Sequence, residues 1–203
     1  MSKRIRTLIS TTALVVSVAM VGSAAAAEFT LKASHEWPGV NGDARDKMVQ
    51  IIAKEIAKAN VGLEVQVYPG ASLFKPREQW NAMVQGQLDI SAFPLDYASG
   101  RHPQFSATLM PGLVKNHDHA LRLNKSPFMD DIKKIINDAG VVVLADAWLA
   151  GGFASKQNCI LGPDTMKGQV TRAAGPAFEQ MLAGAYVFFN ETETTEINTA
   201  MQT

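Results

Sequence analysis

The chain has 203 residues, with 47% hydrophobic and 19% charged side chains and a formal net charge of +0. That composition excludes the disordered and fibrous classes, and 19 basic against 19 acidic residues argue against a nucleic-acid partner. A single cysteine, Cys159, excludes an internal disulfide and a cysteine-based zinc framework, and a chain this long buries roughly 70% of its unfolded surface without such staples.

Lys3, Arg4 and Arg6 precede a mostly apolar run from Leu8 to Val21, and Ala25 and Ala27 then supply a small-x-small pattern. A run of about 14 residues falls short of the ~20 that span a bilayer. Residues 1–27 therefore read as a secretory signal, cleaved after about Ala27. The exported remainder is slightly acidic and carries no other segment apolar enough to cross a membrane.

Phe29 to Ala33 alternates apolar and polar residues and predicts a strand, broken by His35-Glu36-Trp37-Pro38-Gly39. Asp43 caps a helix to about Ala59, with Met48, Ile51, Ile52, Ile56 and Ala59 on one face and Asn60 and Gly62 ending it. Leu63 to Tyr68 alternates again, and Pro69-Gly70 turns the chain. Pro76 opens a helix that turns Trp80, Met83 and Val84 inward, and Leu88 to Phe93 reads as a third strand. Residues 94–115 predict a long irregular crossing. Asn116 caps a helix containing Leu121, and Ser126-Pro127 opens another with Phe128, Ile132, Ile135 and Ile136 inside, ended by Gly140.

Val141 to Ala145 is a near-continuous apolar run, which predicts a buried parallel strand. Gly152 to Lys156, Gln169 to Ala173 and Tyr186 to Phe189 read as further strands, Pro176 to Ala183 and Thr195 to Gln202 as helices. Strands alternating with helices predict an α/β fold with mainly parallel pairing. The last helix has no strand after it, so the second α/β unit reads as incomplete.

Enzyme signatures are sparse. The sequence has no Gly-x-Ser-x-Gly elbow, phosphate loop or Gly-x-Gly-x-x-Gly fingerprint, and no cofactor is implied. His117-Asp118-His119 is the best metal candidate, but residues two apart do not face the same way on a helix, and zinc needs three or four ligands. It reads as a solvated helix start, and no metal site is expected. His35-Glu36-Trp37 directly follows a strand, where open α/β sheets bind ligands; a packed Trp with two exposed polar groups is the equal alternative. Trp148, Phe93, Asp96 and Tyr97 also follow strands.

Asp164-Thr165-Met166-Lys167-Gly168-Gln169-Val170-Thr171-Arg172 resembles the "DLKGLKIR" stretch of the solute-binding proteins of TRAP (tripartite ATP-independent periplasmic) transporters. Tyr68 to Leu73 resembles that family's turn after its second strand, Gln85 to Asp89 its approach to the third, and Glu196 to Gln202 its "SEvYtAlQtG" helix. The matches run in the family's order from about residue 29 to the end.

The resemblance implies a periplasmic receptor with two α/β lobes, residues 28–147 and a partial lobe 148–203, around a cleft. It implies an organic-acid ligand, a TRAP membrane permease as partner, and no catalysis. It places the carboxylate-gripping Arg on Arg172, whose paired donors match a carboxylate. The family's second Arg is missing from Leu149-Ala150-Gly151-Gly152-Phe153, so a monocarboxylate with an apolar or aromatic body is expected against Trp148, Phe153 and Trp37. His35, Glu36 and Tyr97 complete the expected ligand residues. The alternatives are a non-functional remnant of such a receptor, and an exported enzyme using His35 and Glu36 as base and acid.

Overall fold

Three parallel strands form the main sheet, in the order β2-β1-β3, in a computed structural model that describes residues 27–39, 42–155, 158–173, 175–185 and 188–189. The expected signal segment up to residue 26, Lys156, Tyr186 and the helix expected over 195–202 lie outside the described residues. Strand β1, Phe29–His35, is central. It pairs along its length with β2, Leu63–Tyr68, and through its last turn of pleat with β3, Ile90–Ala92. The register Ser34↔Ser91 and His35↔Ala92 extends β1 two residues past its expected end at Ala33. The polar residues there are drawn into the ladder because β3 supplies hydrogen-bonding partners.

Helix α1, Ala44–Ala59, starts where the Asp43 carboxylate accepts from the Arg45 amide, and ends at Asn60 in the left-handed conformation. Its inward face centres on Asp46 and Val49; Ile51, expected inside, is exposed. A 3-10 turn from Pro76 leads into α2, Gln79–Val84, which buries Trp80 while Val84 faces out. The crossing over 94–115 holds two 3-10 turns, Leu95–Ala98 and Pro103–Leu109. Asn116 caps α3, His117–Leu123, by accepting from the His119 amide, and the Ser126 hydroxyl caps α4, Pro127–Asp138, by accepting from Met129. Trp80, Ala98, Phe105, Ile132 and Ile136 form the main core.

Val141 to Ala145 is not a strand. Val141 and Val143 pack on the main core, whereas Val142 and Leu144 are exposed. A strand needs a neighbour for its N–H and C=O groups, and among the described residues nothing pairs beside this run. Gly152 to Ser155 is likewise no strand. Later elements are short. They are α5, Pro163–Met166; β4, Val170–Thr171; α6, Pro176–Ala183; and β5, Phe188–Phe189. β4 and β5 pair in parallel, and Met166 and Leu182 centre a second small core. The described fold is α/β with parallel sheets, as expected.

Candidate ligand site at the strand ends

Three side chains meet beyond the carboxyl ends of β1, β3 and β4, strands drawn from the two separate parallel sheets. Glu36 follows β1 directly, Arg172 follows β4 directly, and Tyr97 lies in the 3-10 turn after β3. The Arg172 Nη2 group donates to Glu36 Oε2 at 3.3 Å and also contacts the Tyr97 hydroxyl. The Tyr97 hydroxyl donates to Glu36 Oε2 at 3.1 Å. Glu36 is buried, so its charge needs partners of this kind, while the Arg172 side chain stays 27% exposed. The guanidinium also lies 5.8 Å from the centre of the Tyr97 ring. Burial, and then the Glu36 charge, hold the Tyr97 phenol well above its ordinary pKa; Arg172 opposes them. Tyr97 therefore stays a neutral hydrogen-bond donor throughout the physiological range.

The turn after β2 holds this arrangement from behind. The Gly70 amide donates to the Trp37 carbonyl at 2.8 Å and the Ala71 amide to the His35 carbonyl at 2.9 Å. Ala71 adopts φ 56°, a left-handed conformation unusual for a residue with a Cβ. Gly39 lies so close to Pro69 that a Cβ there would come within 2.6 Å of Pro69 Cγ. Backbone on both sides of Glu36 is thereby pinned.

His35 and Trp37 flank Glu36 in sequence but serve a different group. His35 is fully buried, with Nε2 3.0 Å from Asp46 Oδ1 on α1. Burial lowers its pKa, opposed by Asp46, so the neutral ring donates its Nε2–H to Asp46. Trp37 is buried, stacks on His35 at 5.6 Å, and carries the Arg45 guanidinium 5.3 Å from its ring centre. Trp148 is held elsewhere, donating from Nε1 to Asn124 Oδ1 at 2.6 Å. Phe153 is 52% exposed. Among the described residues neither Trp148 nor Phe153 has a hydrogen bond or ring contact with the Glu36–Tyr97–Arg172 group.

Sequence reasoning missed two cations. Arg45 interacts electrostatically with Glu36 and forks onto Asp43. Arg77 lies 6.0 Å from the Tyr97 ring centre and pairs with Glu179 on α6 at 2.7 Å. Arg45 was traceable as the second residue after a helix cap. Arg77 had no local signal, because its partner is 102 residues away. No group of three metal-ligating side chains occurs among the described residues.

An arginine, a neutral phenol donor and a buried carboxylate acceptor thus converge on one point. Comparison with known proteins places the chain in a family. The family model of the bacterial extracellular solute-binding proteins, family 7, matches residues 39–203. A solute-binding protein of Albidiferax ferrireducens is 34% identical over 177 residues, which cover 85% of this chain and 52% of that one. A TRAP periplasmic solute-binding protein of Rhodoferax ferrireducens, solved with bound malonate, superposes with TM-score 0.76 at 33% identity, covering 85% of this chain and 56% of its own. One from Sulfurospirillum deleyianum, solved with succinate, shares the fold at TM-score 0.74 and 22% identity, covering 87% of this chain and 57% of that one. The chain thus spans little more than half the length of these relatives. With four-fifths of its length matched by one family model and a one-third-identical relative beside it, the chain belongs to the bacterial extracellular solute-binding proteins of family 7.

Proposed function

We propose that the chain serves as the extracytoplasmic receptor of a TRAP transporter and binds a small organic acid at Arg172, for delivery to a membrane permease. The observation that carries this reading is the Arg172 guanidinium, partly exposed, fixed by Glu36 and Tyr97 beyond the strand ends. Its remaining N–H donors are pre-oriented, so a carboxylate meets a fork that needs little further ordering. Residues 28–147 and 148–203 form the two lobes in this reading, residues 1–27 are the export signal, and the periplasm is the site of action. The role is binding without catalysis. Glu36 already supplies one negative charge beside Arg172, which favours a monocarboxylate over a dicarboxylate. The bound acids of the malonate- and succinate-bearing relatives set the useful controls.

Titration calorimetry of the chain with matched mono- and dicarboxylates tests the reading. The expected result is saturable binding near micromolar affinity, about −8 kcal/mol. Arg172→Ala removes roughly 2–5 kcal/mol of it, which leaves almost no measurable heat. Undiminished affinity in that variant would overturn the role of Arg172. A preference for dicarboxylates would overturn the ligand class.

A further inference from the structure

Asp96 stands directly before Tyr97, is fully buried, and touches none of the three site residues in the hydrogen bonds described. Its carboxylate reaches across to α6. That helix begins Gly175-Pro176-Ala177, a start with no capping side chain. Gly175 at the N-cap offers no side-chain oxygen, and Pro176 has no N–H, so the Ala177 amide is the first donor to be satisfied. Asp96 Oδ2 accepts from that amide at 3.0 Å, while Oδ1 accepts from the Ser106 hydroxyl at 2.5 Å. The helix is therefore capped by a residue 81 positions earlier, on another α/β unit. The partial positive charge at a helix N-terminus strengthens such a bond to a carboxylate.

Gly175 is shaped to admit it. The residue sits at φ 124°, a conformation that glycine alone adopts readily, and a Cβ there would come within 2.7 Å of Asp96 Cγ and closer still to Oδ2. A capping side chain on Gly175 and the Asp96 carboxylate exclude each other. Two consecutive residues of one 3-10 turn thus reach the later unit: Tyr97 meets Arg172 after β4, and Asp96 holds the start of α6. Arg172 lies on the short connection between those two elements.

We propose that Asp96 is a latch, a positioning residue that fastens α6 to the first unit and thereby holds Arg172 against Glu36 and Tyr97. Its importance for ligand capture rests on the receptor reading above; the latch itself does not.

Amide exchange and arginine side-chain NMR on the full chain, without ligand, test it. In Asp96→Ala the Ala177 amide exchanges about 5- to 30-fold faster, the loss expected for one helix cap. Rotation of the Arg172 guanidinium speeds up, while the amides of Ile132 and Ile136 in α4 keep their wild-type rates. Asp96→Asn, which retains an acceptor oxygen, restores much of both effects. Gly175→Ala, which crowds the carboxylate, reproduces the loss. Wild-type exchange at Ala177 in Asp96→Ala overturns the latch. A freed Ala177 with wild-type Arg172 rotation overturns the positioning role. Should Asp96→Ala not fold, seen as fast exchange at Ile132 and Ile136, wild-type behaviour at Ala177 in both other variants overturns the proposal. Failure of every acid to bind wild-type protein would count against the receptor reading alone, since neither NMR readout uses a ligand.

Discussion

Residues 29–138 and residues 141–189 draw on the same elements and arrive at different degrees of self-sufficiency. In the first, β1 has neighbours on both edges, three of the four described α-helices start at side-chain caps from Asp43, Asn116 and Ser126, and one aromatic core joins Trp80 to Phe105. In the second, the two paired strands are two residues long, Gly162 and Gly175 stand where capping side chains would, and the core centres on Met166 and Leu182. The ties that hold the later region come from the earlier one: Asp96 to Ala177, Arg77 to Glu179, Glu36 and Tyr97 to Arg172. Arg172, the proposed ligand anchor, therefore sits on the less self-supporting region and borrows its rigidity. A binding residue on such a region can respond to its ligand, because local opening there does not require opening the main core.

Substitutions sharpen that contrast, beginning where the effect is greatest. Phe105→Ala empties a fully buried aromatic site and lowers the global unfolding free energy by about 3–5 kcal/mol, read by urea denaturation. Leu182→Ala, equally buried in the small cluster, loses about 2 kcal/mol. Amide exchange then shows faster opening over 160–185 with α4 unaffected. If both variants lower protection everywhere, the two regions form one cooperative unit and the comparison fails. Ser126→Ala removes a cap from the stronger region and costs about 1 kcal/mol of global stability.

The next test is pH. Burial holds the His35 pKa below its ordinary value of 6.5, with Asp46 opposing. The unfolded chain then binds the proton more readily than the folded one, so stability falls as pH drops below about 6.5. Thermal melts between pH 7.5 and 5 show this loss, and His35→Gln flattens it. The smallest effect belongs to Val142→Asn. Val142 is 71% exposed, and its replacement changes stability by less than about 0.5 kcal/mol. A loss several times larger would mean that the run over 141–145 is covered in solution.

What the sequence disclosed follows the reach of its interactions. The caps at Asp43, Asn116 and Ser126 were legible because cap and amide lie within three residues. Glu36 and Tyr97 were singled out from their places after strands, Arg172 from a motif. Asp96 was marked by its place after a strand too, but the pairings Arg77–Glu179 and Asp96–Ala177 were not legible, because they join positions 102 and 81 residues apart. Val141 to Ala145 failed for a related reason. Its apolar pattern reports an affinity for burial, whereas strand formation depends on a neighbouring backbone that no local pattern specifies. The β1 extension through His35 came from the same source in the opposite direction, since Ala92 supplied the neighbour.

The central place of β1 bears on how the chain is made. Ala33 must wait for Ile90, so the end of β1 from Ala33 to His35 keeps one edge bare until β3 emerges. Such an edge is a template for pairing with other chains. A nascent molecule thus exposes that edge during the interval, and a holding chaperone that shields residues 33–35 until β3 appears would limit pairing with other chains.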